Sequence, residues 1–402
     1  MRKLRNIAVI MALILAITAM TGCTTYDNFK SAFFGAQGLT KETVKIGVLE
    51  PKTGTDSKMG NEEIRGIELA HKLTPNVLNK DIELVYADTQ SSIYVAETAI
   101  NDLIAKNPVI VLGSYGDTIS LIASQMLGEV KIPAITMTAT NPLITTNNPY
   151  YFRVSFTDAS QGKALAHYVV EKLELKKAAI IRTAKDDTTN DLISKFKLRM
   201  RRLTEDQNCI VATVDLQEGV NDYTEYFEEI KASKAKAVFM PVDLTSAEAV
   251  FAHAVKMDMT DLYFIGPKSW NRDDLLSLSK KYPEIKISVA SDMVSHADKA
   301  EDSEAQTTSM YDKFVEAYKA EYQGAEPTEA AALAFDAYMV AVKAIETAGE
   351  VNPDQLREAI LNTKNFKGAS GEITFDESGE PKKPINVDVI QNGMYVSVFT
   401  VK

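Results

Sequence analysis

The stretch from residue 109 to residue 141 constrains the fold more than any other part of the sequence. Residues 109–113 form a short apolar run closed by Gly113, which predicts a buried strand, and apolar residues at helical spacing follow until Pro133. Residues 134–138 predict a second buried strand. A strand, a helix and a strand in this order form a βαβ unit with a right-handed crossover, so both strands end at the same edge of a parallel sheet.

Small and hydroxylated residues follow these two strands. In open α/β sheets ligands bind at the carboxyl edge, which makes this edge a candidate binding site. The alternative is ordinary turn chemistry, in which Asp117 or Thr118 caps the helix, and this stretch alone favours that alternative. The residues concerned are Ser114, Tyr115, Asp117, Thr118, Thr138 and Thr140.

The alternation of strands and helices runs twice along the chain, which predicts two doubly wound α/β lobes. About 360 residues follow the N-terminal segment, more than one core usually holds, so two domains are expected. The first series adds strands at 44–49 and 82–86 and helices at 62–73 and 94–106. The second has strands at 178–181, 210–214, 237–240, 262–265 and 287–290, and two long helices and terminal strands broken by Asn392-Gly393 complete the pattern.

Residues 1–22 are predicted to be a lipoprotein signal peptide. A basic start is followed by an apolar run over residues 7–20, too short for a membrane span. Met20-Thr-Gly-Cys23 resembles a bacterial lipobox, in which the cysteine is lipidated and becomes the new N-terminus. A plain secretory peptide with an incidental cysteine is the alternative. The sequence therefore predicts an exported protein, lipid-anchored through Cys23 to the bacterial membrane, with residues 23–43 as a tether.

The second cysteine, Cys209, is expected to be a small core residue without a disulfide partner. The formal net charge is −11 and becomes −14 when Arg2, Lys3 and Arg5 are removed with the signal peptide. Such a balance argues against nucleic acid or an anionic membrane surface as a partner. The net charge does not restrict the charge of a small ligand, because such a ligand interacts only with the groups close to it.

Motifs of enzymatic chemistry are absent from the sequence. No two glycines lie two, four or five residues apart, which excludes G-x-G-x-x-G, G-x-S-x-G and G-x-x-x-x-G-K together. The four histidines are far apart, and neither H-E-x-x-H nor C-x-x-C occurs, so no zinc site is expected. We therefore expect no catalytic residues, no metal and no cofactor.

Four sequence blocks resemble the branched-chain amino-acid-binding branch of the type I periplasmic solute-binding proteins. The resemblance covers about residues 43–402. The blocks, in order, are Val44-Lys-Ile-Gly-Val-Leu-Glu-Pro-Lys-Thr-Gly54, Tyr151-Phe-Arg-Val with Asp158-x-x-Gln-Gly162, Gly266-Pro-x-Ser-Trp270, and Gly371-Glu-Ile-Thr-Phe-Asp-Glu-Ser-Gly379.

The resemblance implies two lobes that close on a small solute, an amino acid or a related organic acid. Lobe one would comprise 44–155 plus 289–384 and lobe two 156–288 plus 385–402, with chain crossings near Ser155, Val289 and Pro384. The family delivers its solute to an ABC permease in the cytoplasmic membrane. A surface sensor of the same fold, coupled to a signalling partner, is the alternative function.

The resemblance also implies ligand-binding positions. The ligand carboxylate would be held on lobe one by the loop 116–118 and by Thr140, assisted by main-chain groups flanking Thr138, including Ala139. Ser114 and Tyr115 belong to the same edge. Trp270 is expected either to form a wall of the cleft or to pack at the hinge. Met59, Thr188 and Asp243 fall where the family has tyrosines, or are ordinary loop residues.

Two charged residues depart from the family pattern. Asp117 stands where a neutral serine binds the carboxylate, and Lys268 stands where an acid binds the ligand ammonium. If both face the cleft, the ligand lacks a free α-amino group, binds reversed, or carries an anion towards lobe two. The alternative is that Asp117 caps its helix and Lys268 points to solvent.

Overall fold

The structure is a computed structural model that describes residues 43–146, 148–217, 219–220, 222–293 and 309–401. The predicted signal peptide, Cys23 and nearly all of the tether lie outside these residues. None of the helices in the described part is long and apolar enough to span a membrane.

Six strands form the first sheet, in the order β2-β3-β1-β4-β5-β6. The predicted βαβ unit is confirmed: β4 and β5 pair in parallel, with α3 between them in sequence. The strands are β1 Thr43–Glu50, β2 Asn76–Val77, β3 Lys80–Asp88, β4 Ile110–Gly113, β5 Ala134–Thr136 and β6 Tyr151–Arg153, and the helices are α1 Ser57–Leu73, α2 Ile93–Ala105, α3 Asp117–Glu129 and the short α4 Leu143–Thr146.

Seven strands form the second sheet, in the order β16-β15-β11-β10-β9-β7-β8. Strands β7 to β11 are parallel, while β15 and β16 run antiparallel at one edge. The strands are β7 Ala178–Thr183, β8 Ile210–Leu216, β9 Ala237–Phe239, β10 Tyr263–Gly266, β11 Lys286–Ser291, β15 Ile385–Gln391 and β16 Met394–Val401. The helices are α5 Asp158–His167, α6 Asn190–Thr204, α7 Thr224–Ser233, α8 Leu244–Lys256 and α9 Asp273–Lys281. The predicted break at Asn392-Gly393 is confirmed, since it separates β15 from β16.

The C-terminal helices are α10 Met310–Glu321, α11 Glu329–Ala348 and α12 Pro353–Leu361. Helix α11 packs closely against α1. The two backbones approach each other so closely that a Cβ at Gly66 would lie 2.1 Å from the carbonyl oxygen of Ala331. The segment around residue 370 does not join the terminal strands of the second sheet. It forms a small sheet of β12 Phe366–Gly368, β13 Gly371–Phe375 and β14 Pro381–Lys382.

We name two lobes by their sheets. Lobe one is 43–155 plus 309–384, and lobe two is 156–291 plus 385–401. Val289 pairs with Gly266 and Asp388 inside the second sheet, and β11 continues to Ser291. We therefore propose that the second chain crossing follows Ser291, slightly later than the sequence suggested, while crossings after Ser155 and near Pro384 stay as predicted.

Apolar residues fill both faces of the second sheet and the face of the first sheet that α2 and α3 cover. Cys209 is fully buried in the core of lobe two and free, which confirms the prediction of a core residue. These cores hold each sheet rigid, so the loops that leave the carboxyl ends of the strands are presented from fixed positions.

Candidate ligand-binding site

A cavity of about 450 Å³ lies where the carboxyl edges of the two sheets face each other. Lobe one contributes the loops after β4 and β5 and the first turns of α1 and α11, and lobe two contributes the loops after β7, β9 and β10. Its principal polar lining residues are Tyr115, Asp117, Thr138, Thr140, Asp158, Gln161, Thr183, Asp186, Thr188, Thr189, Asp243, Lys268, Asn271, Arg272 and Glu329.

The structure brings nine of the twelve residues singled out in the sequence to this cavity. They are Met59, Tyr115, Asp117, Thr138, Ala139, Thr140, Thr188, Asp243 and Lys268. Ser114, Thr118 and Trp270 do not line it. The nine positions stay predicted ligand contacts, now with a common cavity to support them.

The three other residues have structural positions. Ser114 is fully buried, and its carbonyl accepts hydrogen bonds from the hydroxyls of Ser120 and Thr136, at 2.8 and 3.2 Å. Thr118 is exposed on α3. Trp270 is fully buried in the core of lobe two.

Trp270 packs beneath the cavity loops and forms no wall of the cavity. Its Nε1 donates to the carbonyl of Val242 at 2.6 Å, and its ring meets Phe251 edge-on at 5.8 Å between centroids. Gly266 is required beside it, since a Cβ there would lie 1.9 Å from the indole ring. Trp270 therefore fixes the loops that carry Val242 and Lys268.

Sequence reasoning missed several lining residues of lobe two, among them Asp158, Thr183, Asp186 and Arg272. Thr183 ends β7, and Arg272 follows β10 at the same carboxyl edge. The rule that ligands bind at the carboxyl edge of an open α/β sheet pointed to the residues of lobe one. Applied to the second sheet, it would also have found these residues of lobe two. Glu329 has no such signal, because it enters the cavity from a helix far along the chain.

Lys268 is buried and lies between two carboxylates. Its ammonium donates to Asp292, lies 3.5 Å from Oε1 of Glu329 and is 5.1 Å from the ring centroid of Phe156. Burial opposes the charge, but Asp292 and Glu329 outweigh it, so the pKa of Lys268 is raised. Lys268 thus lines the cavity with its charge compensated and does not point to solvent.

Asp292 connects the three places where the chain passes between the lobes. Beside Lys268, its carboxylate accepts from Nζ of Lys383 at 3.0 Å and from the main-chain N–H of Phe156 at 3.3 Å. Burial raises its pKa, but the two lysines outweigh burial, and the net pKa is lowered. Because Phe156, Asp292 and Lys383 lie where the chain passes between the two sheets, this one carboxylate joins all three passages.

Glu329 carries this network to lobe one. In the first turn of α11, its Oε2 accepts from the Ser291 hydroxyl at 2.8 Å and from the Asp292 N–H at 3.0 Å. Asn271 of lobe two donates to the same oxygen at 3.3 Å. Burial raises the pKa of Glu329 to about 7 despite the neighbouring Lys268.

Asp117 does not cap its own helix. Its Oδ1 accepts the main-chain N–H groups of Thr140 at 2.8 Å and Asn141 at 3.0 Å, and so joins the loop after β4 to the loop after β5. The first turn of α3 receives no side-chain cap. Burial, and then the charge of Asp117, raise the pKa of the neighbouring Asp158 to about 7.

Two further carboxyl groups, Glu50 and Glu63, lie fully buried beneath the cavity. Oε2 of Glu50 accepts from the N–H of Tyr115 at 2.9 Å, and Oε1 of Glu63 accepts from the Thr138 hydroxyl at 2.6 Å. Burial raises the pKa of Glu63 to about 7 and that of Glu50 well above its usual range. Burial therefore disfavours a negative charge on both carboxyl groups, and the two groups support the loops of Tyr115 and Thr138.

Within the described residues, no group of three or more His, Cys, Asp or Glu side chains is arranged to hold a metal ion. The cavity is thus built from hydroxyls, carboxylates, two cations and main-chain groups. Such an arrangement can recognise a polar small molecule through hydrogen bonds and charge.

Two doubly wound sheets that meet in one cavity at their carboxyl edges define the type I class of periplasmic binding proteins. The chain belongs to the periplasmic binding protein family, which it matches over residues 43–393. The family and the α/β fold class predicted from the sequence are therefore confirmed.

Known relatives support the same assignment. A leucine-, isoleucine-, valine-, threonine- and alanine-binding protein of Pseudomonas aeruginosa is 24% identical, over 87% of this chain and 90% of that protein. A leucine-binding protein of Thermotoga maritima is 28% identical with a TM-score of 0.77, over 89% of this chain and 98% of that chain. A branched-chain amino acid transporter substrate-binding protein of Streptococcus pneumoniae, in complex with isoleucine, has a TM-score of 0.75 at 23% identity, over 89% and 99%. These relatives are solute-binding proteins, not enzymes.

Proposed function

We propose that the chain captures an amino acid or a related small organic acid between its lobes and delivers it to an ABC importer. The observation that carries the proposal is the cavity of about 450 Å³ lined by both lobes, a volume typical of small-molecule sites. The names of the relatives, which bind branched-chain and other small amino acids, support the solute class. The permease of an ABC importer is the proposed partner.

Capture between lobes requires that they move as units about the crossings. We expect a saturating solute to raise the melting temperature, because it binds only the folded state, and to lower the radius of gyration. A thermal-shift screen of amino acids and small organic acids identifies the solute, and X-ray scattering with and without it measures closure. Tight binding with an unchanged radius of gyration would contradict closure, and a screen without any stabilising solute would contradict capture.

We propose that lipid on Cys23 anchors the protein to the membrane. Cys23→Ala is expected to release the protein in soluble form and to abolish labelling by a fatty-acid probe. Cys209→Ala is the matched control, because that thiol is buried in lobe two and should leave labelling unchanged. Membrane fractionation and labelling that persist in Cys23→Ala would overturn the anchor.

A further inference from the structure

The carboxylate of Asp117 occupies two main-chain donors at the carboxyl edge of lobe one. Main-chain N–H groups at the carboxyl edge of a parallel sheet are the donors that anionic ligand groups commonly use. Here the N–H groups of Thr140 and Asn141 both donate to Oδ1 of Asp117. An anionic group of a solute would lose these two donors and meet a like charge.

Lobe two brings a second carboxylate to the same corner. Asp158 is 7% exposed and lines the cavity, and its main-chain N–H donates to the carbonyl of Thr140 at 3.1 Å. Its side chain receives a hydrogen bond from Gln161 at 3.3 Å. The raised pKa of Asp158 shows that burial and the charge of Asp117 disfavour a second negative charge there. A positively charged group placed at this corner would offset both the cost of burying the Asp158 carboxylate and its repulsion by Asp117.

The two cations of the cavity differ in their partners. Lys268 is engaged by Asp292 and lies beside Glu329. Arg272 lines the cavity, and within the described part of the chain no carboxylate lies within ion-pair distance of its guanidinium, whose buried Nε lacks a hydrogen-bond partner. An anionic group of a solute would therefore find its free partner on lobe two, at Arg272.

We propose that the cavity binds an amine-bearing solute with its cationic group at Asp117 and Asp158, and with any carboxylate directed to Arg272 on lobe two. The proposal rests on the proposed solute-binding function and specifies the polarity of the same site. Asp117 is then a specificity-determining residue: it excludes anions from lobe one while recruiting a cation.

The test compares three probes that share the isobutyl group of leucine with two probes that lack it. L-leucine carries both charges, 3-methylbutylamine lacks the carboxylate, and 4-methylpentanoate lacks the amine; agmatine and calcium chloride complete the set. Isothermal titration is expected to show that the amine binds at least tenfold more tightly than the matched acid. Acid binding equal to or tighter than amine binding would overturn the polarity and leave solute capture intact. Binding of calcium alone would also overturn it, whereas only the failure of every solute in the wider thermal-shift screen would overturn both proposals.

Two variants test which end of the cavity binds the cationic group of the solute and which end binds its carboxylate. Asp117→Asn keeps an oxygen for the two N–H donors and removes the charge, so the amine should bind at least tenfold more weakly while the acid gains affinity. Arg272→Gln should weaken L-leucine and leave 3-methylbutylamine unchanged. Asp102→Asn, on the exposed face of α2, is the control and should change neither. Unchanged amine affinity in Asp117→Asn would overturn the proposal.

Discussion

Replacing Asp292 with asparagine is expected to lower the free energy of unfolding by about 3–5 kcal/mol, the usual effect of removing one partner of a buried ion pair. The variant keeps the shape of the side chain but leaves the ammonium groups of Lys268 and Lys383 without their common counter-ion. The side chains of both lysines are at most 8% exposed, so water cannot replace the lost partner. Urea denaturation followed by circular dichroism measures the difference.

Asp274→Asn is the matched control. Asp274 pairs with Lys58 across the lobes at 3.1 Å, but both side chains are more than half exposed. A surface pair of this kind contributes about 0–1 kcal/mol, so the control should barely change the urea midpoint. Equal, small effects of the two substitutions would show that the Asp292 network does not stabilise the hinge.

The free energy of unfolding is expected to fall as pH rises from about 5 to 8, because the buried carboxyl groups must lose protons. Burial raises the pKa of Glu63, Glu329 and Asp158 to about 7. Folding therefore binds protons, and the associated stability is complete below the unfolded pKa values near 4 and is lost as pH rises through about 7. Each such group contributes up to about 1.4 kcal/mol per pH unit inside this window.

Glu63→Gln removes one of these groups, and the charge that it adds to the burial effect on the pKa of Glu50, without changing a residue that lines the cavity. The variant should match the native protein near pH 5, become the more stable of the two near pH 8, and show a shallower dependence on pH. Glu97→Gln, on the exposed face of α2, is the control and should keep the native slope. Asp292 does not affect this comparison. Its pKa is lowered, so its contribution to the free energy of unfolding is lost only in acid, below the pH range of this experiment. A Glu63→Gln slope equal to the native slope would contradict the prediction.

Local patterns in the sequence predicted most of the elements that position the site. The apolar runs at 109–113 and 134–138 became β4 and β5, since a strand buried on both faces needs a continuous apolar run. Several elements escaped prediction. Strand β6 contains the charged Arg153 and so lacks a continuous apolar run, and α12 is a helix of nine residues, too short for a clear helical period.

The direction in which charged side chains point could not be predicted. Asp117 was expected either to face the ligand or to cap its helix; it lines the cavity and binds two N–H groups of the neighbouring loop instead of capping its helix. Lys268 was expected either to face the ligand or to reach solvent; it lines the cavity, where it lies buried beside Asp292 and Glu329. In both cases the decisive partner comes from another element, which no local pattern describes.

The sequence by itself determined the class of fold and the edge of the sheet where the cavity lies, because hydrophobic periodicity follows from residues close together in the chain. The family followed from the resemblance of four sequence blocks, not from periodicity. Only the tertiary structure showed which partners the buried charges have. Phe156, Lys268, Asp292, Glu329 and Lys383 are far apart in sequence, yet they share one buried network. The physical reason is that a buried charge requires a partner, and the packing of the two lobes decides which one it meets.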